Sequence, residues 1–359
     1  MNRKSGRILG PFRIAFLYLG DVIGAGFASG RETWQYFGIF GKNAVSGIAI
    51  ATFLFASMGV MTAYLAEKLD TADMGKIILP VRSELASDIL GRVTAFIIYI
   101  ALISMSAAGG SLLNQQLGLP VPVGGAIVVF LVIVTMLGDF ERVSAVFTYV
   151  IPILFLAVAG VSFYVFAAFE PAGNPITTKP AAMASTWYLS GAVYVAYNII
   201  GTVPINAKSS LHAKNRGSAM AGVILGGCSL GLLGLLLTLA LQKDASVADA
   251  LDLPMLGFAD KISPALGVIF AAVLFVSIYS SATGTYYGFC SKLKNDDRKK
   301  YKIIFFALLG FLLGLGGFRN IVTYVYPVMG YVGILVIILT TVNFFRVLIE
   351  SKRGIKFND

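Results

Sequence analysis

Apolar runs of about 17 to 30 residues follow one another along the chain with only short polar breaks. A helix needs about 20 such residues to cross the hydrocarbon core of a bilayer. A membrane β-barrel would instead show alternating segments of about ten residues. Ten segments can be drawn, at roughly 12–40, 43–67, 91–116, 123–138, 143–168, 186–207, 216–242, 263–291, 301–317 and 319–347. They predict an all-α membrane protein with about ten transmembrane helices. The start, MNRKSGR, is charged like a signal-peptide leader. The apolar stretch after it is too long for one and no small-residue cleavage site closes it, so segment 1 reads as a retained helix.

The breaks between segments add an arrangement. Two are long, at about 68–90 and 243–262, and each holds a Pro in a mixed pattern that predicts a short surface helix. Segments 4 and 9 are the shortest of their halves. Glu170 to Ala184, EPAGNPITTKPAAMA, is a Pro-rich connector between segments 5 and 6. The chain therefore divides into a first five-helix repeat (1–170), a linker (171–185), a second repeat (186–348) and a tail (349–359). Five is odd, so the second set enters from the opposite side: a 5+5 inverted repeat. Such repeats are typical of secondary transporters, with sites near the midplane.

Composition agrees with the pattern. Apolar residues make up 57% and charged residues 13%, where a soluble domain carries about 25% charged. Cys228 and Cys290 lie in or at the ends of apolar stretches, against disulfide staples or zinc. The net charge of +10 could indicate nucleic acid, but its distribution indicates topology. With the N-terminus inside, 22 of the 28 Lys and Arg fall on cytoplasmic segments, among them Arg3, Lys4, Arg7, Arg82, Arg142, Lys294 and Lys356. Only Lys42, Lys179, Lys243, Lys261 and Arg319 fall outside. That is the positive-inside bias, and it predicts a multi-pass protein of the cell (inner) membrane with both termini cytoplasmic and no nucleic-acid partner.

Segment 1 carries the first candidate chemistry. A continuous helix over 12–40 would be roughly 43 Å long at 1.5 Å per residue, against a core of ~30 Å. Its middle reads Gly20-Asp21-Val22-Ile23-Gly24-Ala25-Gly26-Phe27-Ala28-Ser29-Gly30, with four glycines in eleven residues. Gly20/Gly24 and Gly26/Gly30 are GxxxG pairs that close packing would explain. Asp21, Arg31 and Glu32 share the segment, however, and ionisable groups at membrane depth mark a pathway. A break at about 23–28 accounts for both features. Freed carbonyls can take a cation, and freed amides around Gly24, Ala25 and Gly26 can take a carboxylate.

Segment 6 holds Ser190-Gly191, then Tyr194, Tyr197 and Asn198. The two tyrosines are three apart and share a helix face. This predicts a second break at about 190–198, with Asn198 holding unwound backbone or substrate and a tyrosine closing over it. Ordinary core aromatics are the competing reading. In segment 8, Ser277, Ser280 and Ser281 line one face, although membrane serines often only bond back to the i−4 carbonyl.

Residues 20–26 resemble the broken first helix of LeuT-type transporters, within the amino acid–polyamine–organocation superfamily. Gly24 to Glu32, GAGFASGRE, followed by Thr33-Trp34-Gln35-Tyr36-Phe37, is similar to the bacterial YkvI-type membrane proteins. The resemblance covers nearly the whole chain in helix order, and it implies the LeuT-like fold with helices 1 and 6 broken at the midplane. It further implies one sodium ion at most, held by the Gly20, Ile23 and Ser277 carbonyls and the Ser280 and Ser281 hydroxyls. Phe27 stands where relatives with a second sodium site place an Asn. Arg31 corresponds to half of an outer gate, with no acid in segment 10 to pair with it. Glu32 is adjacent in sequence and faces elsewhere.

The expected function is therefore cation-coupled symport, by sodium or proton, of a small organic solute, amino-acid-like first, by alternating access. Substrate would meet Gly24, Ala25, Gly26, Tyr194, Tyr197 and Asn198, while Asp21, Arg31 and Glu32 would couple or gate. A non-transporting sensor or passive channel on the same scaffold is the alternative. Enzymatic activity is not expected: the sole histidine, His212, lies in a loop, no HExxH occurs, and no apolar segment holds paired aspartates. No cofactor beyond the sodium is expected.

Overall fold

A computed structural model describes residues 9–81, 83–138, 150–293 and 296–353. Segment 1 is three helices in line, α1 (Pro11–Val22), α2 (Ala25–Ala28) and α3 (Arg31–Tyr36). A 3₁₀ turn over Gly38–Asn43 leads to segment 2, α4 (Ala44–Leu69), and a short surface helix α5 (Met74–Ile78) follows. Segments 3 to 5 are α6 (Glu84–Leu117), α7 (Val121–Leu137) and α8 (Val150–Ala168). Segments 6 and 7 are α9 (Trp187–Leu211) and α10 (Arg216–Leu241). The long break after them carries two short helices, α11 (Ala245–Ala250) and α12 (Pro254–Ile262). Segments 8 and 9 are α13 (Pro264–Cys290) and α14 (Lys299–Gly314). Segment 10 enters through a π-turn at Ile321–Val325 and continues as α15 (Tyr326–Lys352). Pro327, with no amide to donate, explains the widened turn ahead of it.

Among the described residues, seven helices of 18 or more residues are apolar enough to cross a membrane, with the shorter Val121–Leu137 beside them. Segment 1 falls below that length because it is broken. Both long breaks contain short helices, one in the first and two in the second, but α12 is not a surface helix, since Met255, Leu256, Phe258 and Ala259 are fully buried.

The helices sort into two groups. In one, α9 packs on α4 and α15, α10 packs on α4, and α1 packs on α10 and α9. In the other, α6 packs on α7, α13 and α14, and α13 also meets α7 and α8. The pairing repeats after a shift of five segments. Segment 1 lies on 7 as 6 lies on 2, segment 3 on 9 as 8 on 4, and segment 5 on 7 as 10 on 2.

Two further expectations need correction. Segment 6 is not broken, because α9 is helical from 187 to 211. Its signals have other causes. A Cβ at Gly191 would sit 2.7 Å from the Gly47 carbonyl oxygen, so this glycine lets α9 and α4 approach closely. Asn198 Nδ2 donates to the Tyr194 carbonyl of its own helix at 2.9 Å. Segment 1 is broken twice, at 23–24 and again at 29–30, where a single break was expected. Arg3, Lys4, Arg7, Arg82, Arg142, Lys294, Lys356, the first part of segment 5 and the tail beyond 353 lie outside the described residues.

Candidate functional site

At the first break, Ile23 leaves the helical region and Gly24 is extended, with φ −91° and ψ −172°. The Gly24 amide donates to the Val22 carbonyl at 2.9 Å, not four residues back to Gly20. That turns the Gly20 carbonyl loose at the C-terminal end of α1, where oxygens suit a hard cation. Around Gly24 itself nothing lies within 4 Å of a built Cβ, so the break opens onto free space.

The second break needs a glycine. Gly30 has φ +81°, in the left-handed region. The Ser29 carbonyl freed there accepts the Met255 amide at 2.8 Å, from the first turn of α12. The segment 243–262 thus docks into helix 1.

Arg31 and Glu32, adjacent in sequence, point apart. Arg31 Nη2 donates to the Ala248 carbonyl at 2.7 Å and to the Leu251 carbonyl, and Nε to the Asp252 carbonyl at 3.4 Å. A cation at the end of α11 is favourably placed. The Asp252 carboxylate takes Ser111 Oγ at 2.8 Å and Arg319 Nε at 3.2 Å. Nearby, Asp249 accepts Trp34 Nε1 at 2.9 Å, the Thr177 amide and hydroxyl at 2.6 Å, and the Thr178 hydroxyl at 2.6 Å. Burial pushes the Asp249 carboxyl up, but these hydrogen bonds outweigh it and hold the group below the usual carboxylate range. Helix 1, the 171–185 linker and the α11–α12 stretch are thereby fastened together on one face of the molecule.

Glu32 turns the other way, 6% exposed. Its Oε2 accepts the Tyr197 hydroxyl at 2.7 Å. Its carboxylate lies so close over Gly26 that a Cβ there would overlap it. Aromatic rings surround this point. Tyr36 lies 5.5 Å from Tyr194 and 5.7 Å from Tyr197 between ring centroids, and Tyr197 lies 4.9 Å from Tyr326. Tyr326 is held by Ser104 at 2.6 Å, while the buried Tyr194 hydroxyl has no partner among the described residues.

Asp21 sits on the last turn of α1, half-buried, facing α9: a Cβ on Gly201 would stand 2.9 Å from its Oδ2. Among the described residues neither Asp21 nor Glu32 is in an ion pair.

Of the expected site residues, the fold brings Gly26, Glu32, Tyr194 and Tyr197 together. Gly24 and Ala25 form the wall of the break. Asn198 stands apart, half-buried and bonded within α9. Ser277, Ser280 and Ser281 lie on α13, which packs against α2, with Ser277 buried and the other two half-buried. The sequence reading missed Tyr36, Tyr326, Asp249 and Asp252. Tyr36 had a signal, four residues beyond Glu32 and so on its face. The other three are joined to the site only by folding.

No family model matches the chain. It is similar over most of its length to two proteins of Bacillus subtilis (strain 168). The uncharacterized membrane protein YkvI is 24% identical over 331 residues, 90% of this chain and 92% of that one. The uncharacterized protein YyaD is 25% identical over 327 residues, 90% and 93% respectively. Among solved structures, the inward-facing conformation of Mhp1 superposes with a TM-score of 0.60 over 97% of this chain and 78% of that one, at 12% identity. This is the LeuT-like fold. A mutant of the Eremococcus coleocola manganese transporter matches with a TM-score of 0.51 over 95% and 85%, at 15% identity. Within the LeuT-like scaffold of this chain, the only residues that leave regular helix in mid-segment 1 are those beside Asp21 and Glu32.

Proposed function

We propose that this protein is a secondary active transporter, a cation-coupled symporter of a small organic solute working by alternating access in the cell membrane. The observation that carries the reading is the twice-broken first helix, with Asp21 and Glu32 on either side of an open gap at Gly24. Unpaired carboxylates at membrane depth are costly, and a scaffold keeps them where a charge passes. Packing alone would favour small apolar residues at both positions.

In this reading both termini are cytoplasmic and the fastened face is the outer one. Arg31, Asp249, Asp252 and Arg319 hold it closed, and release of that stretch opens the path to the tyrosines. Asp21 is the coupling residue. A sodium ion, where it serves, would be held by the Gly20 and Ile23 carbonyls and the hydroxyls of Ser280 and Ser281, supplying a charge that must move with substrate. The freed Gly20 carbonyl and the packing of α13 on α2 fit that donor set. Purified protein in liposomes tests the whole: saturable uptake driven by a sodium or proton gradient is expected, and gradient-independent, non-saturable flux would favour a passive channel.

A further inference from the structure

We infer that the groove between α8 and α13 is a site for one phospholipid acyl chain, and that the bound chain braces the elbow where α12 turns into α13. This goes beyond the transport reading and does not rest on it. The groove is a cavity of about 390 Å³. One wall is α8 from Leu156 to Tyr164, and the other is Ile262, Leu266 and Phe270 at the α12–α13 junction. The sequence makes the space: Gly160 has no side chain, and nothing lies within 4 Å of a Cβ built there. The two walls are held in place on either side of it. Phe169, just past α8, meets Phe258 of α12 edge to face at 6.0 Å. Ser263 Oγ caps α13 by accepting the Leu266 amide at 3.1 Å. Thus α8 touches α12 beyond the groove without closing it.

The surroundings identify what fills it. Phe163 on α8 and Val268 on α13 stand beside the groove, 63% and 58% exposed. Apolar surface of this kind on a spanning helix is covered by a bilayer, so the groove opens onto hydrocarbon. Its α8 wall runs about 12 Å along the helix axis at 1.5 Å per residue. Tyr164, one turn from the end of α8, sits at the level where membrane tyrosines mark the interface. Spread over that length, about 390 Å³ leaves a cross-section of roughly 30 Å². A helix about 10 Å across needs roughly 80 Å², so a second copy of this chain cannot enter with a helix, while a single hydrocarbon chain fits. A dry apolar cavity of about 150 Å³ already binds benzene. Among the described residues the lining holds no charged side chain, so the groove reads the chain and not the headgroup. Its second wall ties it to the rest of the molecule. Ile262 ends α12, whose first turn gives the Met255 amide to the Ser29 carbonyl at the second break of helix 1. A chain in the groove packs on that same short helix, so its occupancy sets how firmly the stretch stays docked.

Native mass spectrometry of the delipidated full chain tests this, in a steroid-based detergent whose rigid rings cannot thread a groove one chain wide. The probes are palmitoyl-oleoyl phosphatidylglycerol, palmitoyl-oleoyl phosphatidylethanolamine and dihexanoyl phosphatidylglycerol. One long-chain lipid should be retained whichever headgroup it carries, and it should raise Tm as a ligand of the native state must. The dihexanoyl lipid, the same headgroup on short chains, should do neither. Gly160→Phe fills the groove and should lose the retained lipid, while Gly284→Phe, at another open glycine on α13, should keep it. Should Gly160→Phe not fold, Ala157→Leu narrows the same wall and decides. Bound lipid should also slow amide exchange over 254–262 in the unaltered chain and not in the filled variant. Retention of no lipid, undiminished retention in the filled variant, equal loss in Gly284→Phe, or a dimer that filling the groove abolishes would overturn the site. Retained lipid with unchanged exchange over 254–262 would overturn the bracing.

Discussion

Asp21 and Gly26 show what single residues contribute. Asp21 lies about 14 Å along the first helix from its start, at 1.5 Å per residue, and such a position costs an Asp roughly 2.5–3.5 kcal/mol. If it only capped broken backbone, Asp21→Asn would keep the hydrogen bonds and most of the activity. As a coupling residue it loses charge and titration, so driven transport should fall about tenfold, ~1.4 kcal/mol, or lose its pH dependence across about pH 5 to 8, in protein that still folds. Uptake assays over that range decide, and normal transport by the Asn variant ends the role. Gly26 has a steric task, since the Glu32 carboxylate occupies the space of its missing side chain. Gly26→Ala should cost about 1–3 kcal/mol by overpacking, read as a lowered Tm, and should displace Glu32 from Tyr197.

At the scale of elements, the breaks in helix 1 and the stretch docked into them act together. Asp249 ties the 171–185 linker to α3, and its carboxyl is held below the usual range. A depressed carboxyl stabilises fully above its unfolded value, about 3.9, and that contribution is lost as pH falls through the lower folded value. Amide exchange in 171–185 should therefore accelerate only in acid, and Asp249→Asn should show the faster exchange at neutral pH. On α13, Ser280→Ala with Ser281→Ala should weaken sodium dependence more than substrate binding in saturating sodium. Sodium-independent transport untouched by the pair would leave proton coupling through Asp21 as the better account.

Across the whole molecule, the five-segment shift in helix pairing places the fastened face at one end and the α5 region at the other. There Asn343 donates to the Lys76 and Ile77 carbonyls at 3.0 and 2.8 Å. In a cysteine-free background (Cys228→Ser, Cys290→Ser), Asn174→Cys should react with an impermeant maleimide from outside the cell and Lys214→Cys only from within. Adding Arg31→Gln should raise labelling of Tyr36→Cys from the Asn174 side, because Arg31 holds the α11 carbonyls over that path. Equal labelling from both sides would remove the proposed topology.

The all-helical membrane architecture and the first break were legible along the chain, because apolar run length and clustered glycines act locally. The separate directions of Arg31 and Glu32 were legible too, since neighbours on a helix cannot share a face. Gly191 and Asn198 were misleading for the same reason that Gly24 was informative. A glycine is needed both for an open backbone and for a close helix contact, and only the presence of Gly47 across α9 tells them apart. The second break at Gly30 depends on Met255, over two hundred residues away, supplying the amide that satisfies Ser29. Likewise the ring cluster beside Glu32 draws Tyr36, Tyr197 and Tyr326 from three helices. Periodicity specifies which face of a helix is apolar, but which charged group meets which ring is decided by how those helices cross.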